Sequence, residues 1–333
     1  MNTDSSAGIP KRRLGRTDIE ITPIGLGTWQ FAEGKGIDRF MYKGLDPEVT
    51  GEIVKTVFDG GINWFDTAEG YGWGRSERAL SSALSGAGIA DEDVVIATKW
   101  FPLGRTAESI RKTIHKRKSC LEGYTISLHQ VHQPTSFSSI EAQMDAMADL
   151  VDSGQIRSVG VSNFSAGRMR RAHAALKRRG LPLASNQVKV SLLDRHIEKS
   201  GVLEAAKELG MTIIAWSPLE MGVLTGKFHK DPGLLGSRPI GRRFYLRRQL
   251  KRSARVIEAL EEIADAHGVT PAVVALSWLV NFYGETVVAI PGATKVSHAE
   301  QNVMALGLRL SESEMERLDE LSRKFQRLIP FGT

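Results

Sequence analysis

Eight short apolar runs recur at a spacing of about 30 residues, and that rhythm leaves few folds open. The runs are 24–29, 63–65, 94–98, 127–132, 157–161, 184–188, 212–216 and 287–290. Amphipathic segments separate them at 48–58, 75–84, 106–120, 139–152, 165–179, 197–209 and, longer, 252–281. The runs are continuous rather than alternating, so both strand faces are expected to be buried, as in a parallel sheet. Eight such strand–helix units favour a closed (β/α)8 barrel over an open sheet. An open sheet that binds a dinucleotide carries Gly-x-Gly-x-x-Gly after its first strand. Here that position reads Gly25-Leu26-Gly27-Thr28-Trp29, with no third glycine in register. The stretch Gly70-Tyr71-Gly72-Trp73-Gly74 lacks the Lys-Ser/Thr ending of a P-loop and reads as a tight turn.

Other elements decorate this rhythm. A β-hairpin is expected over 11–22, and Asp46-Pro47 opens a helix that Gly60-Gly61 ends. Residues 219–251, rich in Gly, Pro and Arg, read as a long loop, followed by an extra helix over 253–267 and another over 272–280. Ser311 and Glu314 form a capping-box pattern at the head of a charged terminal helix reaching about Phe325. Residues 1–9 are expected as a disordered tail and 10–333 as one domain.

Composition narrows the class. Hydrophobic content of 41% and charged content of 25% are ordinary for a soluble protein. No run approaches the ~18 apolar residues of a membrane span. The polar N-terminus lacks a secretory core, so a cytoplasmic location is expected. The single cysteine, Cys120, forms no intrachain disulfide and reads as a packed or surface thiol. The net charge of +6 is concentrated at 11–13, 170–171, 177–179 and 242–248. Such patches attract nucleic acid, acidic membranes or phosphorylated small molecules. No nucleic-acid motif or membrane segment accompanies them, so neither partner is expected. The 170–179 cluster reads as a solvated helix face. For 242–252, solvation and phosphate binding both stay open.

Barrel active sites lie at the C-terminal strand ends, and polar residues stand out there. They are Asp66, Lys99, His132, Ser162-Asn163, Asn186-Gln187 and Trp216-Ser217, with Tyr71 in the turn after Asp66. A buried lysine costs several kcal/mol unless paired, and Asp66 on the neighbouring strand is its natural partner. A phenol with an ordinary pKa near ~10 needs a cation beside it to act at neutral pH. No metal-ligand spacing and no Gly-x-Ser-x-Gly elbow occurs, so no metal site is expected.

Over about residues 11 to 325 the chain resembles the aldo-keto reductases. The resemblance rests on Gly25-Leu-Gly-Thr-Trp29, Asn63-Trp-Phe-Asp-Thr-Ala-Glu-Gly-Tyr-Gly72, Ala97-Thr-Lys99, Gln130-Val-His132, Val159-Gly-Val-Ser-Asn-Phe164, Asn186-Gln187, Ala215-Trp-Ser-Pro-Leu219, Leu224-Thr-Gly-Lys227 and Ile290-Pro-Gly292. It is similar in flavour to bacterial and plant members and to the potassium-channel β-subunit branch. The resemblance implies NADPH bound without a Rossmann fold and reduction of a small-molecule carbonyl substrate. It implies a catalytic tetrad of Asp66, Tyr71, Lys99 and His132. Implied cofactor contacts are Gly27, Thr28, Trp29 and Asp66, then Ser162, Asn163 and Gln187 at the carboxamide, with Trp216 stacked on the ring. Ser217, Pro218, Leu219, Gly222 and Lys227 would line the pyrophosphate, and Gly292, Lys295, Gln301 and Asn302 the adenosine end. His298 stands where several members carry arginine, so Lys295 or an arginine of 237–248 would meet the 2′-phosphate. Substrate contacts are expected from Trp29, Tyr71, Trp100 and His132, with Trp73, Phe101 and the loops 28–44 and 220–248 nearby. Two alternatives share the scaffold: an NAD-dependent alcohol dehydrogenase, and an NADPH-sensing regulatory subunit with little turnover. An oligomer stays possible.

Overall fold

The computed structural model describes residues 9–32, 44–236 and 240–326. Eight parallel strands follow one another around a curled sheet in chain order: β3 (Leu26–Gly27), β4 (Trp64–Asp66), β5 (Val95–Trp100), β6 (Ile126–Val131), β7 (Ser158–Ser162), β8 (Leu183–Lys189), β9 (Thr212–Trp216) and β10 (Val287–Ala289). The ends meet. Gly25 N donates to Ala289 O at 2.8 Å, Ala289 N donates to Pro23 O at 2.9 Å, and parallel bridges join Ile24 to Ala289 and Gly27 to Gly292. This is the (β/α)8 barrel that the apolar rhythm predicts. The first strand is shorter than its apolar run because regular pairing with β4 covers only two residues.

Side chains sort by strand parity. Trp64, Val95, Ala97, Leu128, Ile214 and Val288 fill the barrel interior. Beneath them lie Leu14, Ile19 and Ile21 of the hairpin built on β1 (Arg12–Arg13) and β2 (Glu20–Ile21), which plugs the N-terminal end. Outward-facing residues such as Ile96, Trp100 and Val131 pack under the helices. Those helices are α1 (Pro47–Asp59), α2 (Arg75–Gly86), α3 (Glu108–Leu121), α4 (Ile140–Asp152), α5 (Ala166–Lys177), α6 (Val202–Leu209), α7 (Lys227–Lys230), α8 (Ile240–His267), α9 (Pro271–Phe282), α10 (Val296–Gly307) and α11 (Glu312–Ser322). Asp46 caps α1 by accepting from Glu48 N at 2.9 Å. Both halves of the Ser311–Glu314 capping box at α11 are present.

Two expectations change. The segment 219–251 is not a loop: 3-10 turns and α7 occupy its first half, and α8 runs for 28 residues from Ile240. Its arginines, leucines and glutamine are strong helix formers, and Leu246, Val256, Ile257 and Leu260 give it a buried face. The sixth barrel helix starts at Val202 rather than 197, because Gly201 sits at φ 76° and separates it from a 3-10 turn at His196–Glu198. Residues 1–8 of the expected tail lie outside the described residues, while Ile9 packs against the outer core. The basic cluster at 170–179 is a surface of inter-helix ion pairs, Arg170 with Glu208, Arg171 with Glu141, and Arg179 with Asp149 and Asp152. Among the described residues, no single helix is long and apolar enough to cross a membrane.

Candidate active site

The polar strand ends converge at one mouth. Strand β4 delivers Asp66, and inward parity on β5 delivers Lys99, both wholly buried. Lys99 Nζ donates to Asp66 Oδ1 at 2.5 Å and to Thr67 O at 2.8 Å. The same nitrogen lies 3.2 Å from the Tyr71 hydroxyl. Burial opposes the charge on Lys99, but Asp66 and Tyr71 outweigh it and raise its pKa above the usual lysine value. The ammonium is therefore retained at neutral pH.

The other Asp66 oxygen accepts from Gln187 Nε2 at 2.7 Å and from Gln130 Nε2 at 3.2 Å. Gln130 was not among the expected site residues. Its signal was parity: it stands two residues before His132, within the same motif. The Gln187 amide nitrogen, expected at a carboxamide, is already committed to Asp66.

A short network fixes the turn that carries Tyr71. Thr28 Oγ1 bonds Asp66 O at 3.0 Å and Ser76 Oγ at 2.9 Å, and Thr67 Oγ1 donates to Ser76 Oγ at 2.9 Å. Ser76 N donates to Tyr71 O at 3.3 Å. Between them Gly72, Trp73 and Gly74 all have positive φ, at 64°, 56° and 92°. For Trp73 this is a costly conformation. Glu69, a residue the sequence reading passed over, accepts from Arg105 Nη1 at 2.8 Å and Phe101 N at 2.9 Å. That links the turn after β4 to the one after β5.

Aromatic rings wall the mouth. Trp29 stacks on Tyr71 with centroids 6.0 Å apart, and His132 meets Tyr71 edge-on at 5.6 Å. Phe101 contacts His132 at 5.9 Å and Trp73 at 5.7 Å. Burial pushes the His132 pKa down to about 3, with Lys99 adding to the effect, so the imidazole is neutral. Its Nδ1 has no hydrogen-bond partner among the described residues. Trp100, expected as a substrate contact, is not at the mouth. Lys99 faces inward, so Trp100 faces outward, where its indole donates to Ser109 Oγ at 3.1 Å and lies in the outer core.

The remaining strand ends form a polar arc. Asn163, at φ 59°, donates to Ser162 Oγ at 3.0 Å and accepts from Trp216 Nε1 at 3.2 Å. Ser162 Oγ donates to Gln187 O at 2.9 Å. Asn186 turns away and bonds the Phe164 backbone. After β9, Ser217, Glu220, Met221 and Gly222 all take positive φ. At Gly222 a Cβ would sit 3.2 Å from Lys227 Nζ. Lys227 and Lys295 both depress the pKa of His298, after burial, which places three basic groups together. Gln301 accepts from Thr270, and Asn302 is buried with its Nδ2 unpartnered among the described residues. The Gln30 side chain lies where a Cβ on Gly292 would be, 2.4 Å away. Arg243 donates to Gly236 O at 2.8 Å. Residues 33–43 of the expected mouth loop, and 237–239, lie outside the described residues. An aromatic wall, the Asn163 and Asn302 amides and a cationic end suit a long, anionic, ring-bearing cofactor such as a nicotinamide dinucleotide.

A parallel barrel with a lysine, a carboxylate, a phenol and a neutral imidazole at its C-terminal mouth is equipped for proton transfer to a small molecule. Comparison with known proteins identifies its family. The Aldo/keto reductase family profile matches residues 23–323, and the chain belongs to that family. An uncharacterized oxidoreductase of Mycobacterium tuberculosis is 38% identical over 313 residues, covering 92% of this chain and 91% of the relative. The chloroplastic pyridoxal reductase of Arabidopsis thaliana is 31% identical, covering 95% and 87%. The crystal structure of a thermostable aldo-keto reductase, Tm1743, with the inhibitor epalrestat superposes with a TM-score of 0.74 at 31% identity, covering 94% of this chain and 99% of that one.

Proposed function

We propose that this oxidoreductase reduces aldehydes or ketones to alcohols with NADPH, and that Tyr71 donates the proton. The observation that carries the reading is the placement of Lys99 Nζ, bonded at once to Asp66, to Thr67 O and to the Tyr71 hydroxyl. A nicotinamide held by Ser162, Asn163 and Trp216 would supply the hydride for the carbonyl carbon. Tyr71 passes its proton to the oxygen as charge develops there, and the ammonium stabilises the phenolate left behind. Asp66, fixed by Gln130 and Gln187, keeps Lys99 charged and aimed. His132 is neutral, so it orients the carbonyl by a hydrogen bond rather than by charge. Ser162, Asn163 and Trp216 suit the nicotinamide end, and Lys227, Lys295 and His298 suit the phosphates. Trp29, Trp73 and Phe101 favour apolar or aromatic carbonyls.

Replacing Tyr71 by Phe should lower kcat for aldehyde reduction by about 10²–10⁴-fold, while NADPH still quenches tryptophan fluorescence. Near-normal turnover would remove Tyr71 as the acid. Replacing Lys295 by Ala should raise the KM for NADPH several-fold and leave that for NADH alone; an unchanged ratio would take Lys295 out of the phosphate site. Tight NADPH binding by the native protein without turnover across an aldehyde panel would favour the sensing role instead.

A further inference from the structure

The turn after β9 has a costly backbone shape and a buried carboxylate at its centre. Ser217, Glu220 and Met221 take φ of 53°, 50° and 53°, and Gly222 takes 91°. Residues with side chains adopt such angles only where their surroundings impose them, and ligand clamps are a common place for it. Glu220 is 1% exposed. Its Oε1 accepts from Lys189 Nζ at 2.8 Å, and its Oε2 accepts from Ser191 Oγ at 3.3 Å. Lys189 ends β8 and stands in register with Trp216 at the end of β9. The same nitrogen donates to the Tyr245 hydroxyl of α8 at 3.0 Å and pairs with Asp194 Oδ2 at 3.3 Å. Burial opposes the charge on Lys189, but Glu220 and Asp194 outweigh it and raise its pKa. Strand β8, the turn after β9 and helix α8 therefore meet at one ammonium.

The backbone ties Glu220 to the rest of the turn. Glu220 N donates to Ser217 O at 2.9 Å, and Gly222 N donates to Leu219 O at 2.9 Å. Beyond Gly222 comes the cationic end: a Cβ on Gly222 would sit 3.2 Å from Lys227 Nζ, and Lys227 acts on His298 together with Lys295. A free carboxylate near this end would repel phosphate. Buried against Lys189, it can hold the turn while its charge is balanced.

We propose that Glu220 is a positioning residue for the cofactor: anchored by Lys189, it holds residues 217–222 in the form that receives the phosphates, and so sets how fast NADPH leaves. Glu220 acts through the backbone of the turn and not by contact. Tyr245 extends the clasp to α8, so the helix backs the turn. The role rests on the reading of Lys227 and its neighbours as the phosphate end.

Release is read on the full-length protein as recovery of tryptophan fluorescence when excess NADP+ displaces bound NADPH, and folding as the thermal midpoint without ligand. Glu220→Gln should speed release and raise the Kd for NADPH by about tenfold. Lys189→Met should match it, and Lys189→Arg, which keeps the charge, should restore most of the native rate. Tyr245→Phe, which keeps the ring and loses the hydroxyl, should speed release by a smaller factor. If the pair only stabilises the fold, the midpoint falls and the release rate does not move. Unchanged release in folded Glu220→Gln overturns the proposal, as does tighter NADPH binding, the result expected from losing a negative charge alone. Should Glu220→Gln not fold, Tyr245→Phe decides, and a native release rate there overturns the clasp. A native protein whose fluorescence responds to neither NADPH nor NADH strikes the cofactor reading, and with it the role of Glu220.

Discussion

Two histidines three residues apart show how environment assigns roles. His129 lies in β6 on the outward side, near Arg117 and hydrogen-bonded to the Thr98 backbone. His132 ends the same run at the mouth. Burial pushes both down to about 3, reinforced by Arg117 and Lys99 respectively. Both are neutral in the folded protein, but an unfolded histidine titrates near ~6.5. Between those values the unfolded chain binds more protons, so stability rises with pH and falls on acidification. Glu77 acts in the opposite sense: burial pushes it up to about 7 against the pull of Arg117 and Thr98. Its contribution is full below the unfolded carboxylate pKa and is lost as pH rises through about 7. Replacing His129 by Gln should therefore spare roughly 2 kcal/mol of the stability lost between pH 7 and pH 5. Urea unfolding at the two pH values measures it; an identical loss in the variant would show that His129 is not the proton-linked group.

At the level of elements, local signals in the sequence specify structure wherever they are self-contained. The Ser311 capping box is one: Ser311 N donates to Glu314 Oε2 at 2.7 Å and Glu314 N to Ser311 Oγ at 3.3 Å. Changing Ser311 to Ala should cost about 1 kcal/mol in chemical unfolding, and a neutral result would mean α11 is held by packing alone. Asp66, Lys99 and His132 stand out for a similar reason, since each is a polar residue at the end of an apolar run, and Tyr71 follows in the turn after Asp66. The α8 helix does not stand out. Its first two turns follow Gly and Pro punctuation and carry a dense run of arginines, which resembles a loop until a packing partner is known. That partner is the barrel: Tyr245 on α8 reaches Lys189 at 3.0 Å, and Lys189 in turn pairs with Glu220 at 2.8 Å. Trp100 failed differently. It sits one residue from Lys99, and in a strand one residue is the difference between the inside and the outside of the barrel.

For the molecule as a whole, closure between the first and last strands is the critical joint. Gly25 and Gly27 have no side chain there because none fits. A Cβ on Gly25 would stand 2.3 Å from the Trp64 ring, and one on Gly27 would stand 2.8 Å from Ile290 O. Trp64 cannot easily retreat, since its indole fills the barrel interior and donates to Thr22 O at 2.9 Å. Gly25→Val should lower stability by about 1–3 kcal/mol, read as a fall in thermal midpoint. A variant with the native midpoint would mean that the joint tolerates separation.

The amino-acid sequence by itself determined the eight strand–helix units, because burial on both strand faces demands continuous apolar runs that local composition records. It also determined which polar side chains stand at the strand ends. Tertiary structure alone decided that Asp66 is gripped by Gln130 and Gln187, that Lys99 joins three oxygen atoms, that Trp100 turns away, and that the arginine-rich segment winds into a helix. Those outcomes depend on strand register and on contacts between residues up to 121 positions apart, and such contacts take shape only when the sheet curls and closes.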